Sequence, residues 1–405
     1  MKLRDSFIRP DIAAMEPYTP IVPFEVLSAR LGRPPAAITK LDANENPYGP
    51  APRAVEALQH GRFYHIYPDP EATALRAALS AYTGVPAARL LAGAGADELI
   101  DLLLRAVLAP GDVVVNCPPS FGMYPFSTAV NAGRLVEVPR RADFSLDVDG
   151  IETAVAAHPT AKVLFLCAPN NPDGSLLDDA TLRRLLALPL LVVLDEAYVE
   201  FAAEEQERKE RKEEERRERK EKNNLSAPSA SSSAPSAFLP SPSRITWVQQ
   251  HDNLVVLRTF SKLAGLAGLR VGYGAFPEWL LPHLWKIKQP YNVNVAAGLA
   301  ATAALEDVAW LHDTVRRIVA ERERMVARLA AFDWLRPYPS HANFVLFRVV
   351  GRSAAQLQQA LAQQGILVRY FNKPGLANCI RISAGRPQDT DRLVEGLQRI
   401  VEINE

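Results

Sequence analysis

The sequence contains few cysteines and carries no net charge. Its 405 residues include three cysteines, Cys117, Cys167 and Cys379, and 46 basic side chains balanced by 46 acidic ones. The cysteines lie far apart without a Cys-x-x-Cys pair, which excludes a disulfide scaffold and favours free thiols in a reducing compartment. Because the charges balance, nothing attracts the whole chain to nucleic acid or to an anionic membrane, and no helix-turn-helix pattern is present.

Long apolar runs and metal-ligand motifs are also absent. No uncharged stretch approaches the roughly 20 residues that a membrane-spanning helix needs. The first residues lack a basic region followed by an apolar core, so we expect no secretory signal. His341 has no partner at ligand spacing and the seven histidines form no metal motif, so we expect no metal. These absences together predict a cytoplasmic protein without membrane or nucleic-acid partners.

The chain does contain a regular alternation of helices and short apolar strands. Continuous apolar strands between helices indicate an α/β protein with a parallel or mixed sheet that helices cover on both faces. The alternation predicts an N-terminal arm over residues 1–50, a large domain over 51–290 and a smaller α+β domain over 291–405. We expect a short helix near Phe24–Leu31 and one long helix from Ala296 to Phe332. Strands are expected at 90–92, 112–116, 134–138, 162–167, 190–194, 254–257, 343–347, 365–369 and 379–383.

A segment of different composition interrupts the large domain. Residues 204–222 contain nine acidic and nine basic side chains around one glutamine, and residues 223–243 are rich in Ser, Pro and Ala. The first half could extend a helix through charged pairs, but the second half cannot pack a core. Since added loop length costs little closure entropy, we interpret about 203–244 as an insertion in a surface loop.

Two of the predicted strands lead into chemically reactive side chains. The strand at 190–194 ends in Asp195, and the strand at 254–257 leads into Ser261 and Lys262. Such strands can place opposite charges at the same edge of a parallel sheet. Pyridoxal phosphate requires this pair, because an amine forms its Schiff base and an acid keeps its ring nitrogen protonated. Taken singly, Lys262 would be a surface lysine and Asp195 a helix cap; their joint occurrence favours the cofactor site.

A glycine turn supplies a candidate phosphate site. Residues 90–98 read as a strand, a turn containing Gly93 and Gly95, and a helix N-terminus. Free backbone N–H groups at a helix N-terminus attract phosphate, and glycines let the anion come close. The turn lacks the full G-x-G-x-x-G spacing, so a dinucleotide is not favoured.

Together these motifs resemble the fold-type I, class II pyridoxal-phosphate-dependent aminotransferases and, more narrowly, the histidinol-phosphate aminotransferase family. The resemblance runs from about Ile8 to the C-terminus, apart from the insertion, and makes an organellar transit peptide unexpected. It implies a large domain with a mainly parallel sheet flanked by helices, a smaller α+β domain and an N-terminal arm. The segments that match, in the order of the family, are Leu41–Tyr48, Tyr67–Pro70, Gly95–Glu98, Ala168–Pro172, Asp195–Tyr198, Ser261–Lys262, Gly268–Arg270 and Arg381–Ser383.

The resemblance also implies roles for individual residues. The catalytic residues would be Lys262, Asp195 and Tyr198. The further contacts to pyridoxal phosphate would come from Ala96, Asp97, Phe121, Asn171, Thr259, Ser261, Arg270 and, across a dimer interface, Tyr67. The substrate would be bound by Arg381, Arg369, Asn343 and, from the partner subunit, Tyr18. Tyr124 is expected to be an ordinary core aromatic. Asp173 stands where relatives commonly have threonine, at a position without an expected catalytic role.

The reaction that the resemblance implies is transamination between L-histidinol phosphate and 2-oxoglutarate in a homodimer with shared active sites. Imidazole-acetol phosphate and L-glutamate would be the products, in histidine biosynthesis. Two alternatives on the same fold stay open, a lyase similar to threonine-phosphate decarboxylase and an aromatic amino-acid aminotransferase. An inactive cofactor-binding regulator is disfavoured, because Lys262 is present and no DNA-binding module accompanies it.

Overall fold

The protein is described here by a computed structural model over residues 7–15, 17, 23–202 and 243–404. Tyr18 and residues 203–242, which hold nearly all of the predicted insertion, lie outside the described residues. Within those ranges no helix is both long and apolar enough to cross a membrane. The first part of the chain forms α1 (Pro10–Ala14), α2 (Phe24–Leu31) and β1 (Thr39–Leu41). The short helix expected near Phe24–Leu31 is therefore confirmed.

The middle of the chain alternates helices and strands as predicted. Every strand expected there is present within one or two residues, and residues 199–202 are also helical. One further strand, β8, was not predicted, because its Gly-Tyr-Gly-Ala sequence is poor in strand-forming residues. The elements are α3 (Pro52–Gln59), α4 (Thr73–Thr83), β2 (Leu90–Gly93), α5 (Ala96–Val107), β3 (Val113–Asn116), α6 (Met123–Val130), β4 (Arg134–Glu137), α7 (Val148–Ala157), β5 (Ala161–Cys167), α8 (Asp179–Leu186), β6 (Leu191–Asp195), β7 (Leu254–Thr259), α9 (Phe260–Leu263), β8 (Gly272–Ala275) and α10 (Leu281–Ile287).

Seven of these strands form one sheet in the order β2-β8-β7-β6-β5-β3-β4. Strands β7, β6, β5, β3 and β4 run parallel, and β8 is antiparallel to both of its neighbours. The central strands are buried on both faces: Val192 and Leu194 pack into one apolar cluster, and Leu191 and Val193 into another. Fully burying each such side chain contributes about 1.5–3 kcal/mol. The fold is therefore the predicted α/β arrangement with a mainly parallel sheet.

The last part of the chain differs from the prediction at its start. The single helix expected from Ala296 to Phe332 is wrong, because two helices meet at Glu306 and Asp307. The N–H groups of Glu306 and Asp307 donate to the carbonyls of Ala303 and Ala304 and close the first helix, and Asp307 leaves helical geometry with φ −111° and ψ 49°. The elements are α11 (Val295–Leu305), α12 (Val308–Leu329), β9 (Leu335–Pro337), β10 (Phe344–Val349), α13 (Ala354–Gln363), β11 (Ile366–Tyr370), β12 (Cys379–Ser383) and α14 (Pro387–Asn404).

A second, five-stranded sheet has the order β1-β11-β12-β10-β9. Its edge strand β1 comes from the N-terminal arm and pairs in parallel with β11, while the other pairs are antiparallel. The chain must therefore leave this sheet after Leu41 and cross to α3 beside the seven-stranded sheet. Helix α11 packs on α3 and α4, within the apolar cluster on one face of the seven-stranded sheet. The domain boundary at 290–291 stays a prediction.

Candidate functional site

Asp195 is the last residue of β6, and Lys262 lies just beyond the carboxyl end of β7, the adjacent parallel strand. Strand β7 ends at Thr259, whose hydroxyl accepts the N–H of Ser261 at 3.1 Å and so caps the short helix α9. The cap starts the helix at the strand end, and Lys262 follows Ser261 within its first turn. The structure thus brings the predicted acid and amine to the same edge.

The amino group of Lys262 is held in a partly buried position. Its Nζ donates a hydrogen bond to the carbonyl of Ala43 at 3.0 Å. Burial and, to a smaller extent, the positive charge of Arg381 lower the pKa of Lys262 to about 8. A lysine with a lowered pKa is partly uncharged near neutral pH, and only the uncharged amine is a nucleophile or a base.

Asp195 is buried and held by two donors. Its Oδ2 accepts the hydroxyl of Tyr124 at 2.8 Å, and its Oδ1 accepts the N–H of Ala197 at 3.0 Å. Burial raises the pKa of Asp195 to about 6, although both hydrogen bonds act in the opposite direction. Tyr124, expected to be an ordinary core aromatic, is fully buried and stacks on Phe165, but its hydroxyl also orients the acid. The expectation for Tyr124 therefore missed a functional contact.

The glycine turn before α5 forms a tight cradle. At Gly95 the backbone φ is +86°, and an added Cβ would lie 2.7 Å from Nη2 of Arg270. An added Cβ at Gly272 would lie 2.6 Å from the backbone nitrogen of Ala96. Arg270 also donates to Asp97 at 2.8 Å. The two glycines thus let a guanidinium group and the first N–H groups of a helix approach one point, an arrangement that suits phosphate.

Thr259 and Ser261 lie beside the same cradle. Thr259 pairs with Gly272 across β7 and β8, and Gly272 touches the backbone of Ala96. The hydroxyl of Thr259 also donates to the hydroxyl of Ser261 at 3.0 Å. Two hydroxyl groups, a guanidinium group and a helix N-terminus therefore surround the turn. With Asp195 and Lys262 at the neighbouring strand ends, this donor set fits the phosphate, ring nitrogen and aldehyde of pyridoxal phosphate.

Arg381 and Arg369 face each other across β12 and β11. Arg381 donates to Oδ1 of Asn171 at 2.5 Å and to the carbonyl of Asp42 at 2.7 Å. The guanidinium carbons of Arg369 and Arg381 lie 5.6 and 5.5 Å from the ring centre of Phe371. Like charges directly opposite each other destabilise a sheet. An anion bound between the two arginines would remove that repulsion.

A network of amides surrounds Tyr198. Asn44 donates through Nδ2 to the hydroxyl oxygen of Tyr198 at 3.1 Å, and its Oδ1 accepts the hydroxyl of Ser383 at 2.8 Å. Asn343 donates to the carbonyl of Asn44 at 2.9 Å, whereas its own Oδ1 is buried without a hydrogen-bond partner. Burial raises the pKa of Tyr198 above its usual value. Tyr198 therefore keeps its proton and can donate it to a ligand.

Residues 42–46, which we call the linking segment, contact most of these groups. The carbonyls of Asp42 and Ala43 accept from Arg381 and Lys262, and Asn44 contacts Tyr198. Asn46 donates to the carbonyl of Leu263, the residue after Lys262, at 2.9 Å. In the sequence, this segment could be recognised only through its resemblance to the family. Its short polar side chains were the available signal, since Asn and Asp bond readily to nearby backbone.

The remaining predicted site residues lie at different distances from this centre. Phe121 packs edge-to-face on Tyr124, with ring centres 5.6 Å apart. Tyr67 is 77% exposed and stacks on Tyr291 at 4.4 Å, which places it on the surface of the chain. Asp173 is buried and accepts hydrogen bonds from Asn170 and Ser175, so it shapes the loop that carries Asn171. Among the described residues no cluster of His, Cys, Asp and Glu could hold a metal ion.

Comparison with known proteins identifies relatives along nearly the whole chain. The family model described as aminotransferase class I and II matches residues 36–397. A histidinol-phosphate aminotransferase of Roseiflexus castenholzii is 52% identical over 401 residues, covering 97% of this chain and 98% of that protein. A chloroplastic histidinol-phosphate aminotransferase of Nicotiana plumbaginifolia is 49% identical over 395 residues, covering 97% and 86% respectively.

A solved structure has the same fold over its full length. The crystal structure of histidinol-phosphate aminotransferase from Sinorhizobium meliloti in complex with pyridoxal-5'-phosphate superposes with a TM-score of 0.79. The two sequences are 29% identical, and the match covers 99% of each chain. The whole fold is therefore shared with a protein that holds this cofactor. We call the place where groups of the two sheets meet, at Arg381 and Asn171, the cleft.

Replacing Tyr124 with Phe should shift the pH dependence of cofactor binding. The lost hydroxyl lowers the pKa of Asp195, so Tyr124→Phe raises that pKa above about 6. Only the ionised acid can hold a protonated ring nitrogen, and the acid limb of pyridoxal phosphate affinity should move up by about 1 pH unit. Fluorescence titration measures the affinity for pyridoxal phosphate at each pH from 5 to 8. Tyr338→Phe, beside β9, is the matched control. An unchanged acid limb would show that the hydroxyl does not act on Asp195.

Proposed function

This chain belongs to the aminotransferase class I and II family, and we propose that it transfers the amino group of L-histidinol phosphate to 2-oxoglutarate. The products are imidazole-acetol phosphate and L-glutamate, and the step belongs to histidine biosynthesis. The cofactor is pyridoxal phosphate. Relatives at 47–52% identity over most of the chain bear the name of this enzyme, which favours transamination over the lyase and aromatic alternatives.

The opposed pair Arg369 and Arg381 is the observation that carries the substrate assignment. One guanidinium group is enough for a carboxylate, and its planar fork suits phosphate equally. Two arginines in direct register across β11 and β12 provide more positive charge than a carboxylate needs. We assign Arg381 to both substrates, because it lies beside Lys262 and Asn171. Arg369 is assigned to the phosphate of histidinol phosphate, together with Tyr18 and Asn343 as further substrate contacts.

The residues around Lys262 supply proton transfer and orientation. Bound pyridoxal phosphate provides an electron sink when the substrate Cα loses its proton. The Nζ of Lys262 would take that proton from Cα and deliver it to C4′ of the cofactor, since a pKa of about 8 allows it to act as base and acid near neutral pH. Asp195 holds the proton on the ring nitrogen, and Tyr124 keeps Asp195 in position.

The cofactor oxygens are assigned to the neighbouring donors. Tyr198 receives a hydrogen bond from Asn44, so its own proton can point towards the phenolic oxygen of the cofactor, as can the amide of Asn171. Phe121 offers a ring face for stacking on the pyridine. The phosphate is assigned to the cradle described above, formed by the backbone of Ala96 and Asp97 and by the side chains of Thr259, Ser261 and Arg270.

We propose a homodimer in which Tyr67 completes the site of the other subunit. The ring of Tyr67 is 77% exposed, and Phe63, Tyr64 and Ile66 in the same loop are more than half exposed. An exposed apolar surface of this kind marks a contact with another protein. Tyr67 is assigned to the cofactor phosphate of the partner subunit. The free, buried thiols agree with a cytoplasmic location, which we propose for the protein. We also propose a large domain over 51–290 and a smaller domain over 291–405.

The amine donor decides between the candidate reactions. Purified protein is incubated with 2-oxoglutarate and L-histidinol phosphate, L-threonine phosphate or L-phenylalanine, and glutamate and carbon dioxide are measured. Glutamate formation that is fastest with histidinol phosphate supports the proposal. Carbon dioxide release from threonine phosphate would identify a lyase, and preference for phenylalanine would identify an aromatic aminotransferase.

Variants of the two arginines should separate their roles. Arg381→Ala should lower kcat/KM for histidinol phosphate and for 2-oxoglutarate together by roughly 30- to 3,000-fold, since a bidentate charged contact is worth about 2–5 kcal/mol. Arg369→Ala should lower kcat/KM for histidinol phosphate at least about 10-fold more than for 2-oxoglutarate, because only the former carries a phosphate. Arg336→Ala, on the exposed edge strand β9, is the control. Equal losses for both substrates in Arg369→Ala would contradict the assignment.

Subunit mixing should reveal the shared active site. Lys262→Ala and Tyr67→Ala homodimers should each be nearly inactive, whereas a heterodimer contains one site with neither substitution. Statistical mixing should then restore up to about a quarter of the activity of the unaltered protein, because half of the dimers are mixed and one of their two sites is intact. Lys262→Ala mixed with Asp195→Ala serves as control, because both residues belong to the same subunit's site and their heterodimer contains no intact site. No recovery in purified heterodimers would place Tyr67 outside the partner's site.

A further inference from the structure

Lys288 is a buried lysine outside the catalytic cleft. It follows α10, is 8% exposed, and lies over the ring of Trp285 at 5.2 Å. Its Nζ is within hydrogen-bond distance of four oxygens: the carbonyls of Pro70 at 3.0 Å, Gln289 at 2.8 Å and Pro290 at 3.2 Å, and Oδ1 of Asn292 at 2.9 Å. An ammonium group has only three protons. All hydrogen-bond donors of Lys288 are therefore occupied by the two loops that meet around it.

A chain of hydrogen bonds leads from Lys288 to the phosphate cradle. The amide of Asn292 accepts from Lys288 and donates through Nδ2 to Oε2 of Glu98 at 2.7 Å and to the carbonyl of Ala92 at 3.2 Å. The same oxygen of Glu98 accepts the N–H of Ala94 at 2.6 Å. Ala94 lies inside the glycine turn, directly before Gly95. The last bond in the chain therefore fixes the turn that precedes the helix α5.

The outer end of this chain carries the exposed tyrosine pair. Pro70 follows the loop of Tyr67, and Tyr291 lies between the two residues Pro290 and Asn292 that bind Lys288. The rings of Tyr67 and Tyr291 stack at 4.4 Å with an angle of 18° between their planes. Lys288 thus connects the segment of Tyr67 with the segment of Tyr291 through its hydrogen bonds. None of the catalytic residues described above takes part in these bonds.

We propose that Lys288, Asn292 and Glu98 form a polar relay that positions the phosphate-binding turn from the side of the Tyr67–Tyr291 pair. The proposal rests on the cofactor role assigned to that turn. Glu98 is a negative charge in the first turn of α5, where it would otherwise repel a bound phosphate. Donors from Asn292 and Ala94 and the charge of Lys288 compensate it. The three side chains are positioning residues, since they act on the cofactor through the backbone of the turn.

Affinities for two forms of the cofactor separate positioning of the turn from general destabilisation. Full-length variants are dialysed against graded concentrations of pyridoxal phosphate or of pyridoxal, which lacks the phosphate, and occupancy is read from absorbance. Lys288→Met should weaken pyridoxal phosphate roughly 10- to 100-fold and pyridoxal less than about 3-fold, as expected when a hydrogen-bonded charge is removed. Lys286→Met, two residues away and exposed, should change neither.

An exchange of groups tests the direction of the hydrogen bonds. Asn292→Asp keeps the acceptor for Lys288 but cannot donate to Glu98, and Glu98→Gln keeps an acceptor for Ala94 but reduces the charge. Asn292→Asp should weaken pyridoxal phosphate about 10-fold, whereas Glu98→Gln keeps its acceptor and loses the charge that repels phosphate, so it should weaken pyridoxal phosphate less than about 3-fold. In the double variant the glutamine amide can donate to the aspartate, so affinity should recover to within about 3-fold of the unaltered protein.

Two results would overturn the relay. One is a Lys288→Met variant that does not lose more affinity for pyridoxal phosphate than for pyridoxal. The other is a double variant that is as weak as the sum of its single changes. If the unaltered protein bound neither form of the cofactor, the proposed function itself would be wrong, so the two failures can be told apart.

Discussion

Two cations, the ammonium group of Lys262 and the guanidinium group of Arg381, are held in one cleft by successive backbone carbonyls, those of Ala43 and Asp42. Their mutual repulsion adds to burial in lowering the pKa of Lys262. The same repulsion therefore makes Lys262 reactive and makes the cleft favour bound anions. A phosphate or carboxylate on the arginines relieves repulsion, and an uncharged Lys262 amine does the same.

The register of the five-stranded sheet makes this arrangement possible. Leu41 of β1 pairs with Val368 of β11, so Asp42 follows at the level of Arg369, which in turn pairs with Arg381 of β12. The chain then turns through Asn44, whose φ of 55° lies in the left-handed region that asparagine tolerates better than most residues. A short N-terminal strand thus delivers the linking segment to the gap between the two sheets.

Site residues at strand ends could be predicted from the sequence. Site residues that meet only through tertiary packing could not. Asp195 and Lys262 could be predicted because parallel strands bring their carboxyl ends to one edge. Tyr124 could not be distinguished from a core aromatic, since only the position of α6 against β6 brings its hydroxyl to Asp195. The break at Glu306 and Asp307 has no proline or glycine to mark it. Strands β1 and β9, with three residues each, are too short to show a period.

Covalent labelling of Lys262 tests the central claim most directly. The protein is mixed with pyridoxal phosphate at a series of pH values, treated with borohydride after short times, digested, and mapped by mass spectrometry. A lowered pKa of about 8 predicts a pyridoxyl label on Lys262 whose rate of formation rises with pH until about 8 and then levels off. A label on Lys286, Lys288 or another lysine, or a rate that keeps rising towards pH 10, would contradict this account of the cleft.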